Sequence, residues 1–435
     1  MRAGRLSAGQ RMRIPFSARL AWPAPENALS VLRAELRAKG TPILDFSESN
    51  PTRVGLGASP DELGFLLDPA NARYEPDPRG LSRAREALAE DYRMRAGQAE
   101  RMDPHDIFLC ASTSEAYAWL FKLLCDPGDA ILVPRPGYPL FDHLAGLEAV
   151  EARPYRLEYA HPAGWSIDLD AVEAALRDGR ARALVLINPN NPTGSYVGDR
   201  ERAALVELCA HQGCALIVDE VFYGFSVEAD THPPAAGGRS SFVGEDRALC
   251  FVLDGLSKRL CMPQMKLGWI AASGPEPELR EAAGRLEVLA DAYLSAGTPI
   301  MNALPALLAT AEDFAGPCRR RLKANIARLR LILGGGDSPH RVLRCHGGWT
   351  AIIESPRLHS EEELALGLLR DEGLWSQPGY FFDMEREAYF TAGLILEPDA
   401  LERGARAYAA YFERIMGDER DPTCHSGPSR AGVDA

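Results

Sequence analysis

The sequence predicts an α/β protein: a large domain on a mostly parallel sheet covered by helices, followed by a smaller α+β domain. Three observations carry this. From about Pro104 to Ser273, short apolar runs alternate with amphipathic stretches, the pattern of parallel strands joined by crossover helices. At 435 residues the chain exceeds what one hydrophobic core usually supports, so a second domain is expected. Beyond Arg319 the strands become fewer and weaker, "WTAIIE" and "YFTAGLIL".

In chain order, residues 1–45 read as an N-terminal arm and the start of the small domain. Arg2, Arg5, Arg11, Arg13 and Arg19 precede the first acidic residue, Glu26, and without a signal peptide's apolar core they read as a solvated basic arm. Residues 46–300 are assigned to the large domain, with strands "DAILVP", "ALVLIN", "ALIVDE", "ALCFVL" and "LGWIAA". Each is followed by Gly, Pro, Asn or charge, and ligands of open α/β sheets gather at such strand ends. A helix is predicted from Glu115 to Cys125, where Tyr117, Leu120, Phe121 and Leu124 share a face. Others follow at Asp168–Leu176, Asp199–His211 and Glu278–Leu294. Residues 301–416 form the expected small domain, entered through a helix near Arg319–Leu333, with further helices at Ser360–Arg370 and Pro398–Met416. The tail 417–435, "GDERDPTCHSGPSRAGVDA", is too polar to fold and is expected to be disordered.

Composition narrows the function. A net charge of −13 argues against nucleic acid, whose phosphates need clustered Lys and Arg. No apolar run approaches the roughly 18 residues of a membrane span. Nine cysteines show no CxxC pair and mostly sit in apolar runs, where a reduced thiol behaves as a small hydrophobe. A cytoplasmic enzyme acting on small molecules is expected.

The chemistry-bearing segments lie at strand ends. "LDGLSKRLCMPQMKLGWIAA" holds Lys258 and, eight residues on, Lys266. "INPNNPTGS" presents Asn191 in turn chemistry. "LIVDEVFYGF" ends a strand in Asp219 and Glu220, carboxylates that are costly to bury without a cation. "CASTSEAYAWLF" sets Ser112, Thr113 and Ser114 at a strand-to-helix turn, where free amides and the helix dipole attract phosphate. "VPRPGYPLF" delivers Tyr138. Each has a plainer reading: a surface lysine at a helix start, a capping box between Ser112 and Glu115, an aromatic lid on the core. Together they supply what pyridoxal phosphate needs: a Schiff-base lysine, a carboxylate for the pyridinium nitrogen, an amide for the ring oxygen, a stacking plate and an anion cradle.

From about Phe46 to Tyr411 the chain resembles the class I/II (fold type I) pyridoxal-phosphate aminotransferases, through "NPNNPTG", "DEV" and "LSK" in that order; "SNPT", "STSEAY", "DEVF" and "GLSK…PQMKLGW" suggest a divergent bacterial subgroup. The resemblance implies that Lys258 carries the cofactor as the internal aldimine and shuttles the proton, while Asp219 keeps the pyridinium protonated. It implies that Asn191 bonds the ring oxygen, that Tyr138 stacks on the ring, and that Ser112, Thr113, Ser114, Ser257 and Lys266 hold the phosphate. Tyr74 in "ARYEPDPRGL" matches the family's tyrosine that reaches the neighbouring subunit's phosphate, which implies a homodimer with shared active sites.

Three departures stand out. Phe222 stands where the family has a tyrosine, with Tyr223 beside it. Lys266 replaces an arginine, and Gly255 a serine, near the phosphate. The arginine that usually grips the substrate carboxylate is missing: its position falls at about Thr391, and Arg386, five residues earlier, reads as part of a charged surface turn with Glu385 and Glu387. The function implied is transfer of an amino group from an amino donor to an oxo acceptor through pyridoxamine phosphate. The alternative is a lyase, decarboxylase or condensing enzyme of the same fold. A cofactor-binding sensor fused to a DNA-binding domain is disfavoured, since about 40 residues precede the large domain.

Overall fold

The computed structural model describes residues 14–20, 27–96, 102–227 and 241–420. Eight strands form the main sheet, in spatial order Ile107–Cys110, Gly268–Ser273, Cys250–Gly255, Ala215–Asp219, Ala181–Ile187, Ala130–Arg135, Glu151–Ala160 and Gly164–Ile167. The five from Cys250–Gly255 to Glu151–Ala160 run parallel. The outer three pair antiparallel. All five expected strands are present. The sheet adds an edge strand, Ile107–Cys110, and the hairpin Glu151–Ala160/Gly164–Ile167, whose charged, Pro-containing sequence hides its alternation.

Side chains alternate across the central strands. Leu184, Leu186, Leu216, Val218 and Val252 face one core, while Val185, Ile187, Ile217 and Leu253 face the other. Burying both faces requires the near-continuous apolar runs the sequence shows. Crossover helices start on clear signals: Asp168 accepts from Ala171 N–H at 2.9 Å to cap Leu169–Leu176, and Asp199–Gln212 stops at Gly213, whose φ of 63° suits glycine.

A second core gathers the helices Ala28–Ala38, Ala311–Leu333, Glu361–Glu372 and Pro398–Arg420 around a three-stranded antiparallel sheet of Arg341–Val342, Thr350–Glu354 and Tyr389–Gly393. Leu44–Asp45 pairs in parallel with Leu374–Trp375, and Phe46, Val54 and Leu56 pack into this core too. At the expected division at residue 300, helix Thr298–Ala309 packs into the large-domain core through Ile300, Leu304 and Leu307, alongside helix Ser82–Ala96, and Ala315 is the first residue of helix Ala311–Leu333 to join the second core. One correction concerns the tail. Helix Pro398–Arg420 continues past Met416, so Gly417–Arg420 are helical rather than part of a disordered tail; residues 421–435 lie outside the described residues. No described helix is long and apolar enough to cross a membrane.

Candidate active site

The site forms where the parallel strands end. Asp219 closes its strand opposite Ile187 and Leu253 and is buried. Its Oδ2 accepts from the Tyr117 hydroxyl at 3.0 Å and its Oδ1 from Val221 N–H at 3.1 Å. Burial pushes its carboxyl up to about 6, against the opposing pull of those two hydrogen bonds and of nearby Lys258. Tyr117 is a site residue that sequence reasoning missed. It was assigned only to the apolar face of its helix, and a phenol on such a face needs a polar partner when buried.

Lys258 occupies the four-residue helix Leu256–Arg259, directly after the strand Cys250–Gly255. Its Nζ stands 5.6 Å from the centroid of the Phe222 ring and 5.1 Å from that of Trp349. Burial lowers its pKa, partly offset by Asp219. Trp349, buried and edge-on to Phe222 and Phe225 at 5.5 and 5.3 Å, is a second missed residue. Its indole N–H has no acceptor among the described residues; the sequence marked it only as the start of a strand. Tyr223 does not stand in for the family's tyrosine. Its ring packs edge-on against Tyr196 and lines a separate cavity together with Glu220 and Arg259.

The anion turn is capped by Ser112, and Glu115 reaches back one residue past it. Glu115 N–H donates to Ser112 Oγ at 3.2 Å, and Ala111 N–H donates to the Glu115 carboxylate at 2.6 Å. The Ser112 half of the expected capping box is present and the reciprocal bond to Ser112 N–H is not, and the cap is compatible with an anion site, because the first amides of helix Thr113–Leu124 have no acceptor within the helix. Gly268 fits tightly behind this turn: a Cβ there would come within 3.1 Å of Ser112 C and Thr113 N. Cys110 pairs with Gly268, so the strand that follows Lys266 starts beside the anion turn. Lys266 is exposed, in the left-handed region at φ 51°, just after the turn Pro263–Met265. Ser257, half-buried, lies on the Lys258 helix.

The three asparagines of "NPNNPTG" divide their work. Asn188 Oδ1 accepts from Val197 N–H at 3.1 Å, and Asn190 Oδ1 accepts from the Thr193 hydroxyl at 2.9 Å. Asn191 is half-buried and spends its amide on no described residue. Tyr138 packs edge-on against Phe141 at 5.7 Å, and Phe141 in turn against Tyr117 at 5.3 Å. Burial raises its phenol, with Asp219 close enough to add to the effect.

Two expectations fall outside this cluster. Tyr74 is 72% exposed and its side chain makes no hydrogen bond among the described residues. Thr391 is buried in mid-strand, its hydroxyl donating to Gln377 carbonyl oxygen at 3.3 Å. Arg386 sits in an exposed turn whose neighbours Glu385 and Glu387 pair with Arg156 and Arg357. No arginine takes the place of a carboxylate clamp at position 391.

The chain matches the profile of the family described as aminotransferase class I and II over residues 44–392. It is 26% identical over 367 residues to the glutamate-pyruvate aminotransferase AlaA of Haemophilus influenzae, covering 80% of this chain and 87% of that one. It is 28% identical over 363 residues to an alanine aminotransferase of Mycobacterium tuberculosis, covering 80% and 81%. The fold superposes on an alanine aminotransferase from Pyrococcus furiosus with a TM-score of 0.80 at 23% identity, over 92% of this chain and 100% of that one. The chain therefore belongs to aminotransferase class I and II, as a pyridoxal-phosphate-dependent enzyme that moves an amino group from an amino donor to an oxo acceptor.

Proposed function

We propose that Lys258 carries the cofactor and moves the proton, in a pocket whose substrate side is aromatic rather than arginine-lined. When bound, pyridoxal phosphate supplies an electron sink for the pair left by the substrate's Cα–H bond. The residues present suit it. Asp219 is a buried carboxylate without a full countercharge, held in orientation by Tyr117 and Val221 and ready to accept from a ring N–H. The lowered pKa of Lys258 favours the neutral amine that covalent attachment and proton abstraction require. Asn191 offers a spare amide to the ring oxygen, and Tyr138 a flat face. The amides of Thr113 and Ser114, the hydroxyls of Ser112 and Ser257, and the Lys266 ammonium would hold the phosphate. Lys266 does this as a point charge, without an arginine's fork.

The substrate reading rests on one observation: the Lys258 amine lies against the rings of Phe222 and Trp349, with Thr391 where an arginine would grip a carboxylate. We assign an amino donor with an apolar or aromatic body near its amino carbon. The test mixes cofactor-loaded protein with a panel: alanine and glutamate, as the relatives' names suggest, then aromatic amino acids and arylalkylamines. Spectroscopy follows amination of the cofactor, and mass spectrometry identifies the oxo product. Donors with apolar bodies should react fastest. Fast reaction with glutamate and none with apolar donors would contradict the assignment.

A homodimer sharing its active sites is part of this reading. Tyr74 is unpaired and exposed, and Leu67, nearby on the segment packed against helix Thr298–Ala309, is 86% exposed. Sedimentation should give twice the chain mass. A cytoplasmic location is supported by the cysteines, since all eight described ones are free thiols.

A further inference from the structure

Behind the Lys258 helix lies a cavity of about 230 Å³ that amino transfer does not use. Its walls come from segments far apart in sequence: Tyr92 and Arg95 near the end of helix Ser82–Ala96, the loop from Glu220 to Phe225, Asp254 and Arg259 flanking the turn into the Lys258 helix, and the start of helix Ala311–Leu333. Alternation along the strand puts Glu220 on the opposite face from Asp219.

Every carboxylate reaching this cavity is already matched. Glu220 accepts from the Ser241 hydroxyl at 2.6 Å and from Phe242 N–H at 2.9 Å. Asp254 accepts from Gly255 N–H at 2.7 Å and from Arg259 at 2.6 Å. Glu312 pairs with Arg319. Burial also pushes Glu220 up to about 7, which reduces its negative charge near neutral pH. The donors are not all used. Arg259 is 5% exposed, and its Nε–H has no acceptor among the described residues. Arg95 pairs with Asp91 through Nε at 3.0 Å, leaving its terminal nitrogens. Tyr92 accepts from the Trp269 indole at 2.7 Å and keeps its own O–H to give. A lined space whose buried carboxylates are matched and whose guanidinium groups keep spare donors complements a ligand that accepts.

We propose that this cavity is a second binding site, for a small carboxylate, held by Arg259 and Arg95 with the Tyr92 hydroxyl. Its occupant would bear on Arg259, the residue after Lys258. The proposal does not depend on the substrate assignment.

The test is calorimetric titration of the cofactor-loaded protein with glutarate, a dicarboxylate with no amino or oxo group to react. Arg259→Met would take the guanidinium from buried Asp254 and Asp91 and is avoided. Arg95→Gln removes one donor and should weaken glutarate binding about tenfold. Gly224→Leu, at a lining position where a Cβ meets nothing within 4 Å, should fill the space and abolish binding. Phe222→Leu, on the catalytic side, should leave it unchanged. No glutarate binding in the wild type overturns the proposal. So does binding that survives Arg95→Gln and Gly224→Leu unaltered, or that is lost in Phe222→Leu. Inorganic phosphate binding there while glutarate does not would overturn the ligand class.

Discussion

Lys258 and Arg259 are consecutive residues on one short helix, yet they are buried in opposite ways. The Lys258 ammonium has no hydrogen-bond partner among the described residues; it faces two aromatic rings and the Asp219 carboxylate, and burial drives its pKa down. Arg259 is fixed by hydrogen bonds to Asp254 and Asp91 and lies 5.4 Å from the rings of both Tyr92 and Trp269. The difference is chemical. A guanidinium stays charged and can be locked into a fork of carboxylates, whereas an ammonium left underpaired can give up its proton. The fixed neighbour sets the rotation of the helix, and the unfixed one is free to react.

Breaking the reactive half should have the largest effect. Lys258→Ala should lower turnover by at least ~10⁴-fold and remove the visible absorbance of lysine-bound cofactor. Lys258→Arg should restore neither, because the charge it restores is not the function. Breaking the fixed half should act on stability first. Arg259→Met takes the guanidinium from buried Asp254 and leaves Asp91 only Arg95, and should cost roughly 3–5 kcal/mol, read from the denaturation midpoint. An Arg259→Met protein of wild-type stability would end the comparison. Thr391→Arg probes the substrate side: with Thr391 only 1% exposed, the substitution buries a cation in mid-strand. The variant should lose about 2–4 kcal/mol of stability instead of gaining activity with glutamate. The smallest effect belongs to Phe222→Tyr. A hydroxyl near the ring oxygen should move the absorbance titration of lysine-bound cofactor to lower pH by about one unit.

Much of this was legible in the chain. The five central strands could be read because their apolar runs stop abruptly at Asn188, Asp219 and Gly255, where the sheet ends and chemistry begins. Asp219 and Lys258 stand out by residue type and position, and the fold puts both at the ends of the central strands. What stayed hidden was long-range pairing. Tyr117 reads as packing until the fold brings it 102 residues along the chain to Asp219. Trp349 reads as a strand start until the second core sets it over Lys258. The hairpin at Glu151–Ala160 was obscured by charges on its exposed positions and by Pro154. The cavity behind Arg259 could not be read at all, since its walls come from segments scattered between Tyr92 and Arg319.

The central claim is that Asp219 is held at a cost that only the cofactor offsets, and the stability of the apoprotein measures that cost. The folded carboxyl keeps its proton to about pH 6, while an unfolded aspartate releases it near 3.8. Between those values the native state binds more protons than the unfolded state, so stability falls as pH rises and the whole penalty remains above about pH 6. It amounts to roughly 3 kcal/mol. Asp219→Asn apoprotein should therefore be more stable than wild type at pH 8 by about that amount, with the fall between pH 4 and 6 reduced. The same variant loaded with cofactor should lose ~10³-fold in amino transfer. An Asp219→Asn apoprotein no more stable than wild type at pH 8, or one that transfers amino groups at near wild-type rates, would contradict the account.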